Sequence, residues 1–94
     1  MIKIKQDSNR IEITGHANFD CYGKDIVCAS VSSIVITTVN AIESLEKETI
    51  KVNEDKGIII EIIKETDINN KLIKNMLNLL KELEKQYPKN IKFL

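Results

Sequence analysis

Near the start of the chain isoleucine alternates with polar residues twice, at Ile2 and Ile4 and again at Ile11 and Ile13, with Asp7-Ser8-Asn9 between the two runs. A period of two places one set of side chains on one side of an extended backbone, and the Asp-Ser-Asn cluster supplies turn residues. The pattern therefore predicts a hairpin of two half-buried strands. The spacing changes from Ile26 to about Leu45, where Val27, Val31, Ile34, Val35, Ile42 and Leu45 recur at helical intervals. Val, Ile and Thr are abundant there and favour strands. A strand of that length is far outside the usual range of about 3–10 residues, so we assign a helix beginning near Asp25.

Ile50-Lys51-Val52 and the run Ile58 to Ile63 are separated by Glu54-Asp55-Lys56-Gly57. They predict a second hairpin, whose longer strand is apolar enough to lie inside a sheet. Thr66 or Asp67 is placed to cap a second helix, along which Ile68, Leu72, Met76, Leu79, Leu80 and Leu83 form one apolar face until Pro88 stops it. Ile91-Lys92-Phe93-Leu94 reads as a last short strand. The order β-β-α-β-β-α-β suits an α/β chain of the α+β type, a two-layer arrangement of about five strands in a mixed sheet with both helices on one face. Residues 1–94 are expected to form a single domain, since no repeat, linker or low-complexity stretch divides them.

Charge narrows the function classes. Fourteen Lys and Arg balance fourteen Asp and Glu, so there is no bulk attraction toward nucleic acid or an anionic membrane. The opening Met-Ile-Lys-Ile-Lys-Gln lacks the apolar core of a signal peptide, and no run reads as membrane-spanning. These features point to a cytoplasmic protein with no membrane partner and no direct nucleic-acid partner. In that setting the two cysteines are expected to be reduced thiols and not a structural bridge.

Candidate chemistry concentrates in residues 15–32, which hold the single histidine, both cysteines and two of the three glycines. His16 follows a predicted strand and Cys28 lies just inside a predicted helix. The N-terminus of a helix favours thiolate over thiol, and a nearby imidazole can take the thiol proton. First-turn N–H groups can also stabilise an oxyanion. Asp25 is well placed to cap the helix and to accept the backbone N–H of Cys28. The same residues admit other readings. His16, Asp20, Cys21 and Cys28 offer donors for zinc, without a paired Cys-x-x-Cys or His-x-x-x-His clasp. A Cys21–Cys28 disulfide offers a redox reading, without the spacing of a thiol oxidoreductase. Ala29, Ser30, Ser32 and Ser33 keep the first helical turns narrow, for tight packing or for a peptide.

Gly15-His16-Ala17, then Tyr22-Gly23-Lys24-Asp25-Ile26-Val27-Cys28-Ala29, with Val31-Ser32 following, closely resembles the signature of the ribosomal-processing cysteine protease family, Prp. Element order and chain length are similar as well. The resemblance implies a cytoplasmic, homodimeric peptidase of Firmicutes-type and related bacteria, with no cofactor. It would remove the N-terminal extension of large-subunit ribosomal protein twenty-seven, cutting after an aromatic residue and before a small one. The family's catalytic pair falls on His16 and Cys28. Asp25 matches a supporting position, where it either orients His16 or caps the helix. Ser32, one helical turn after Cys28, is placed to touch substrate or to serve packing, and Gly15 and Gly23 permit backbone conformations closed to other residues. The chain departs from the family pattern at Asn18-Phe19-Asp20-Cys21, where a glycine, an aromatic, a small and an acidic residue are more usual. Cys21 is then an additional exposed thiol and not the nucleophile. The competing reading is a non-enzymatic ribosome- or RNA-associated binding module. The four aromatic residues, Phe19, Tyr22, Tyr87 and Phe93, and the balanced charge make a poor match to a basic, aromatic RNA-binding face. A purely structural dimer is the third reading.

Overall fold

A computed structural model of the chain describes residues 1–15, 26–55 and 57–94. The elements run β1 (Ile2–Gln6), β2 (Arg10–Thr14), α1 (Ile26–Leu45), β3 (Ile50–Asn53), β4 (Ile58–Ile62), α2 (Asp67–Gln86) and β5 (Ile91–Phe93). This is the expected α+β order. The first turn closes as Asp7 N–H donates to the Arg10 carbonyl at 2.8 Å. Asn53 shapes the second, its side-chain oxygen accepting from Asp55 N–H at 2.9 Å.

The five strands form one sheet in the order β3-β4-β2-β1-β5. Every neighbouring pair is antiparallel except β1 and β5, which run parallel with Ile2 opposite Ile91. Alternation sorts the two faces. Ile2, Ile4, Ile11, Ile13, Ile58, Ile60 and Ile91 are buried on the helix-covered side, where they join the inner residues of both helices in one core. The opposite side carries charge, with Lys5 across from Glu12, Lys51 across from Glu61 and Lys3 across from Lys92. As its apolar run implies, β4 lies inside the sheet, between β3 and β2.

Helix α2 begins at a cap that the sequence signals. Thr66 has extended backbone geometry, and its hydroxyl accepts from Asn69 N–H at 3.0 Å, which satisfies one of the orphan donors of the first turn. Thr66→Ala is expected to cost about 1 kcal/mol, read as a lower urea midpoint with an unchanged slope. The buried stripe differs from the expected face. Asn69, Ile73, Met76, Leu77 and Leu80 point inward, Leu72 and Leu83 are partly covered, and Ile68 and Leu79 are exposed. Two apolar stripes compete on this helix, and packing against the sheet selects the one that carries Asn69. The Asn69 amide is held there by donating to the Lys64 carbonyl at 3.3 Å.

At the β5 edge the Phe93 N–H donates to the Glu84 carboxylate at 2.7 Å, and Lys81 Nζ lies 5.6 Å from the Phe93 ring centroid. A helix side chain thus covers an edge-strand donor that would otherwise face solvent. Helix α1 corrects one expectation: it is long and apolar enough to cross a membrane by length and composition. In this fold Val27, Cys28, Val31, Val35, Thr38 and Ile42 are buried, about a third of the apolar stretch, while Ile26, Ile36 and Leu45 are exposed.

Candidate active site

Strand β2 ends at Thr14, and Gly15 follows with φ 102°. That backbone region is strained for any residue with a Cβ. A Cβ at Gly15 would also run into the Met1 carbonyl oxygen and come within 2.8 Å of Ile2 Cα. Glycine is therefore required on two independent grounds. The start of β1 has little room to yield, because Ile2 N–H donates to the Asn90 carbonyl at 2.8 Å while β1 pairs with β2 on its other side.

Gly57 makes the matching approach from β4. Its φ is 94°, and a Cβ there would meet the Ile13 carbonyl oxygen and lie 3.2 Å from Thr14 Cα. Two glycines thus let neighbouring backbones close on the end of β2, the strand that leads into His16. Sequence reading treats Gly57 only as a turn residue. The available signal is a glycine immediately before a strand, which often marks close backbone approach.

The thiol side of the site is α1. Cys28 is its third residue, in the first turn, and is 1 % exposed within the core. Beside it, the Ser30 hydroxyl donates to the Ile26 carbonyl at 2.7 Å, which holds that hydroxyl against its own helix. Ser32 is half-buried one turn further on, while Ala29 and Ser33 are exposed. The sulfur of Cys28 is disulfide-bonded in this structure, which corrects the expectation of a reduced thiol at this position.

His16, Cys21, Gly23 and Asp25 lie outside the described residues. The choice between Asp25 as cap and Asp25 as orienting group for His16 lies there too, as do Asp20, His16 and Cys21 of the zinc reading. Among the described residues, no three His, Cys, Asp or Glu side chains gather as a metal would require. What the fold brings into view is the two borders of the motif: Gly15 at the end of β2, and Cys28 with Ser32 on the first turns of α1. Cys28 lies in the first turn of α1, and the sequence's one histidine precedes it by twelve residues.

A family description reading "Cysteine protease Prp" matches residues 1–92. The chain belongs to this family. It is accordingly a cysteine protease. Among curated Prp proteins it is similar to the ribosomal processing cysteine protease of Staphylococcus aureus, at 37 % identity over 82 residues covering 83 % of this chain and 77 % of the relative. It is similar also to the Bacillus subtilis protein of the same description, at 34 % identity over 86 % of this chain and 80 % of that one. The crystal structure of the essential S. aureus Prp, in complex with a covalently linked product peptide, superposes with a TM-score of 0.81 at 30 % identity, covering 98 % of this chain and 94 % of that one. Prp membership supports a ribosomal processing protease, and the α+β fold matches that of the S. aureus enzyme.

Proposed function

We propose that this Prp-family chain removes the N-terminal extension of large-subunit ribosomal protein twenty-seven, cleaving after an aromatic residue. Cys28 would be the nucleophile and His16 its base and acid. The observation that carries the reading is the position of Cys28 in the first turn of α1, inside the motif that defines the resemblance. In the reduced enzyme the Cys28 thiolate attacks the scissile carbonyl carbon. His16 protonates the departing amine, and water then hydrolyses the thioester, giving its proton to His16. Helix N–H dipoles at this turn favour the negative charge that develops on the carbonyl oxygen. Ser32 would border the bound leader, and Asp25 would serve the pair as cap or as orienting group. The covalently linked product peptide of the S. aureus relative supports a peptide substrate.

The enzyme is proposed to act in the cytoplasm as a homodimer. The outward face of α1 supports the dimer: Ala29, Ser33, Ile36, Thr37 and Asn40 are exposed there, and the helix carries no charged side chain before Glu43. Solvent-facing helices ordinarily carry charge on that side.

The test is to incubate the reduced protein with a peptide spanning the leader and mature start of the ribosomal protein, and to map the cut by mass spectrometry. One cut after the aromatic residue is expected, lost when that residue is changed to alanine. An intact peptide, or cuts scattered along it, would defeat the assignment.

A further inference from the structure

The balanced charge of the whole chain, which points away from a nucleic-acid partner, conceals an uneven placement in the fold. On the side of the sheet away from the helices stand Lys3, Lys5, Arg10, Lys51 and Lys92, against Glu12 and Glu61. Both acids are engaged by the strands next to β1. Glu12 Oε1 lies 3.0 Å from Arg10 Nε, and Glu61 sits between Arg10 and Lys51 in the register. Toward β5 the balance fails. Lys3 has Lys92 beside it across the parallel β1–β5 pair and uncharged Thr14 on its other side. Both lysines are exposed, and among the described residues neither joins an ion pair. Like charges placed directly across from one another destabilise a sheet. Exposed lysine on an edge strand deters pairing with another chain, which accounts for Lys92 and Lys51. It does not account for Lys3 and Lys5, because β1 lies inside the sheet, between β2 and β5.

We propose that this face of the sheet docks on the phosphate backbone of double-helical RNA, with Lys3, Lys5 and Lys92 as its contacts. A strand spacing of about 4.8 Å and a rise of about 3.4 Å per residue put the three on adjoining positions of one flat surface. A phosphate seated between Lys3 and Lys92 removes their mutual repulsion, so the pair that weakens the free sheet strengthens the bound one. The side chains available also decide the kind of polyanion. Single-stranded nucleic acid is held largely by bases stacked on aromatic rings, and Tyr87 and Phe93 pack against the core on the other side of the sheet. Double-helical RNA turns its phosphates outward and is met through backbone and shape. A bilayer needs apolar side chains to insert, and the strand positions of this face offer the half-buried Ile59. The choice of RNA over other polyanions rests on the ribosomal-processing reading, since such a protease meets its substrate where folded RNA is abundant.

The experiment follows the fluorescence anisotropy of a labelled RNA hairpin titrated with the full chain, from about 50 to 200 mM salt. The logarithm of the association constant is expected to fall against the logarithm of salt with a slope of about −3, one unit for each of Lys3, Lys5 and Lys92. A hairpin of unrelated sequence should give the same slope and affinity, because phosphate contacts carry no sequence information. Lys3→Gln/Lys92→Gln should bring the slope to about −1. Its thermal midpoint should be no lower than that of the original chain, because a like-charge pair has been removed. Lys74→Gln/Lys85→Gln takes the same charge from exposed positions of α2 and should leave the slope unchanged. Absence of binding at the lowest salt, equal losses in the two double variants, or a lower midpoint in Lys3→Gln/Lys92→Gln would each overturn the proposal. So would tighter binding to phosphatidylglycerol vesicles or to poly-glutamate than to the hairpin. Peptide cleavage enters none of these readings. A protein that cuts the leader and ignores the hairpin loses this inference alone, and one that binds the hairpin and leaves the leader intact loses the cleavage assignment alone.

Discussion

Cys28→Ala is expected to abolish peptide cleavage while the chain stays folded, with kcat/KM falling by roughly 10⁴ to 10⁶. The size follows from the chemistry, because in the proposed mechanism the acyl intermediate forms on the Cys28 sulfur itself. The side chains next to Cys28 are Val27, Ala29 and Ser30, and the Ser30 hydroxyl is bonded to its own helix at the Ile26 carbonyl. Alanine is the better replacement than serine. Cys28 lies in the core at 1 % exposure, where a serine hydroxyl would need a partner and its burial without one costs about 1–3 kcal/mol, whereas alanine leaves only a small void. Comparison under reducing conditions removes the contribution of the disulfide. His16→Ala should be about as inactive, and the double variant no worse, since paired groups lose their effect together. Retention of about a tenth of the activity by Cys28→Ala, with an unchanged thermal midpoint, would show that the nucleophile is elsewhere.

Gly15→Ala is expected to unfold the N-terminal half of the sheet at much lower temperature and to depress cleavage further than the stability loss accounts for. A Cβ at φ 102° costs about 1–3 kcal/mol in backbone strain. Its collision with the Met1 carbonyl adds an overpacking cost of about 1–3 kcal/mol. Relaxation is blocked on both sides, by pairing to β2 and by the Ile2 N–H bond to Asn90 near the parallel β5 partner. For a chain of this size each kcal/mol lowers Tm by about 4–8 °C, so a fall of more than about 10 °C is expected. The added loss of activity follows because the next residue is His16. Glu82→Ala on the exposed side of α2 is the control, and an equal, small change in both proteins would show that the strand end tolerates a side chain.

How far the sequence reaches depends on the range of the interaction that decides each feature. The hairpins and helices are legible because alternation, helical spacing and turn residues act between near neighbours, and the Thr66 cap is a bond to Asn69 three residues away. The inward face of α2 is less so. Ile68 and Leu79 look as suitable for burial as Ile73 and Leu77, and only the surface the helix lands on separates them. Similarly, the need for glycine at position 57 becomes visible only once the Ile13 carbonyl is beside it.

For this protein the chain order of residues already settled which segments become strands and helices, and it placed histidine, cysteine and two glycines in one short block, whose protease reading came from its resemblance to the Prp signature. Those outcomes rest on local periodicity and on adjacency along the backbone. The β3-β4-β2-β1-β5 order, the parallel seating of β5 beside β1 and the burial of Cys28 in the common core were decided only by the folded structure. Each depends on contacts between segments far apart in the chain, where many pairings satisfy the same alternation and one simultaneous packing of the core selects among them.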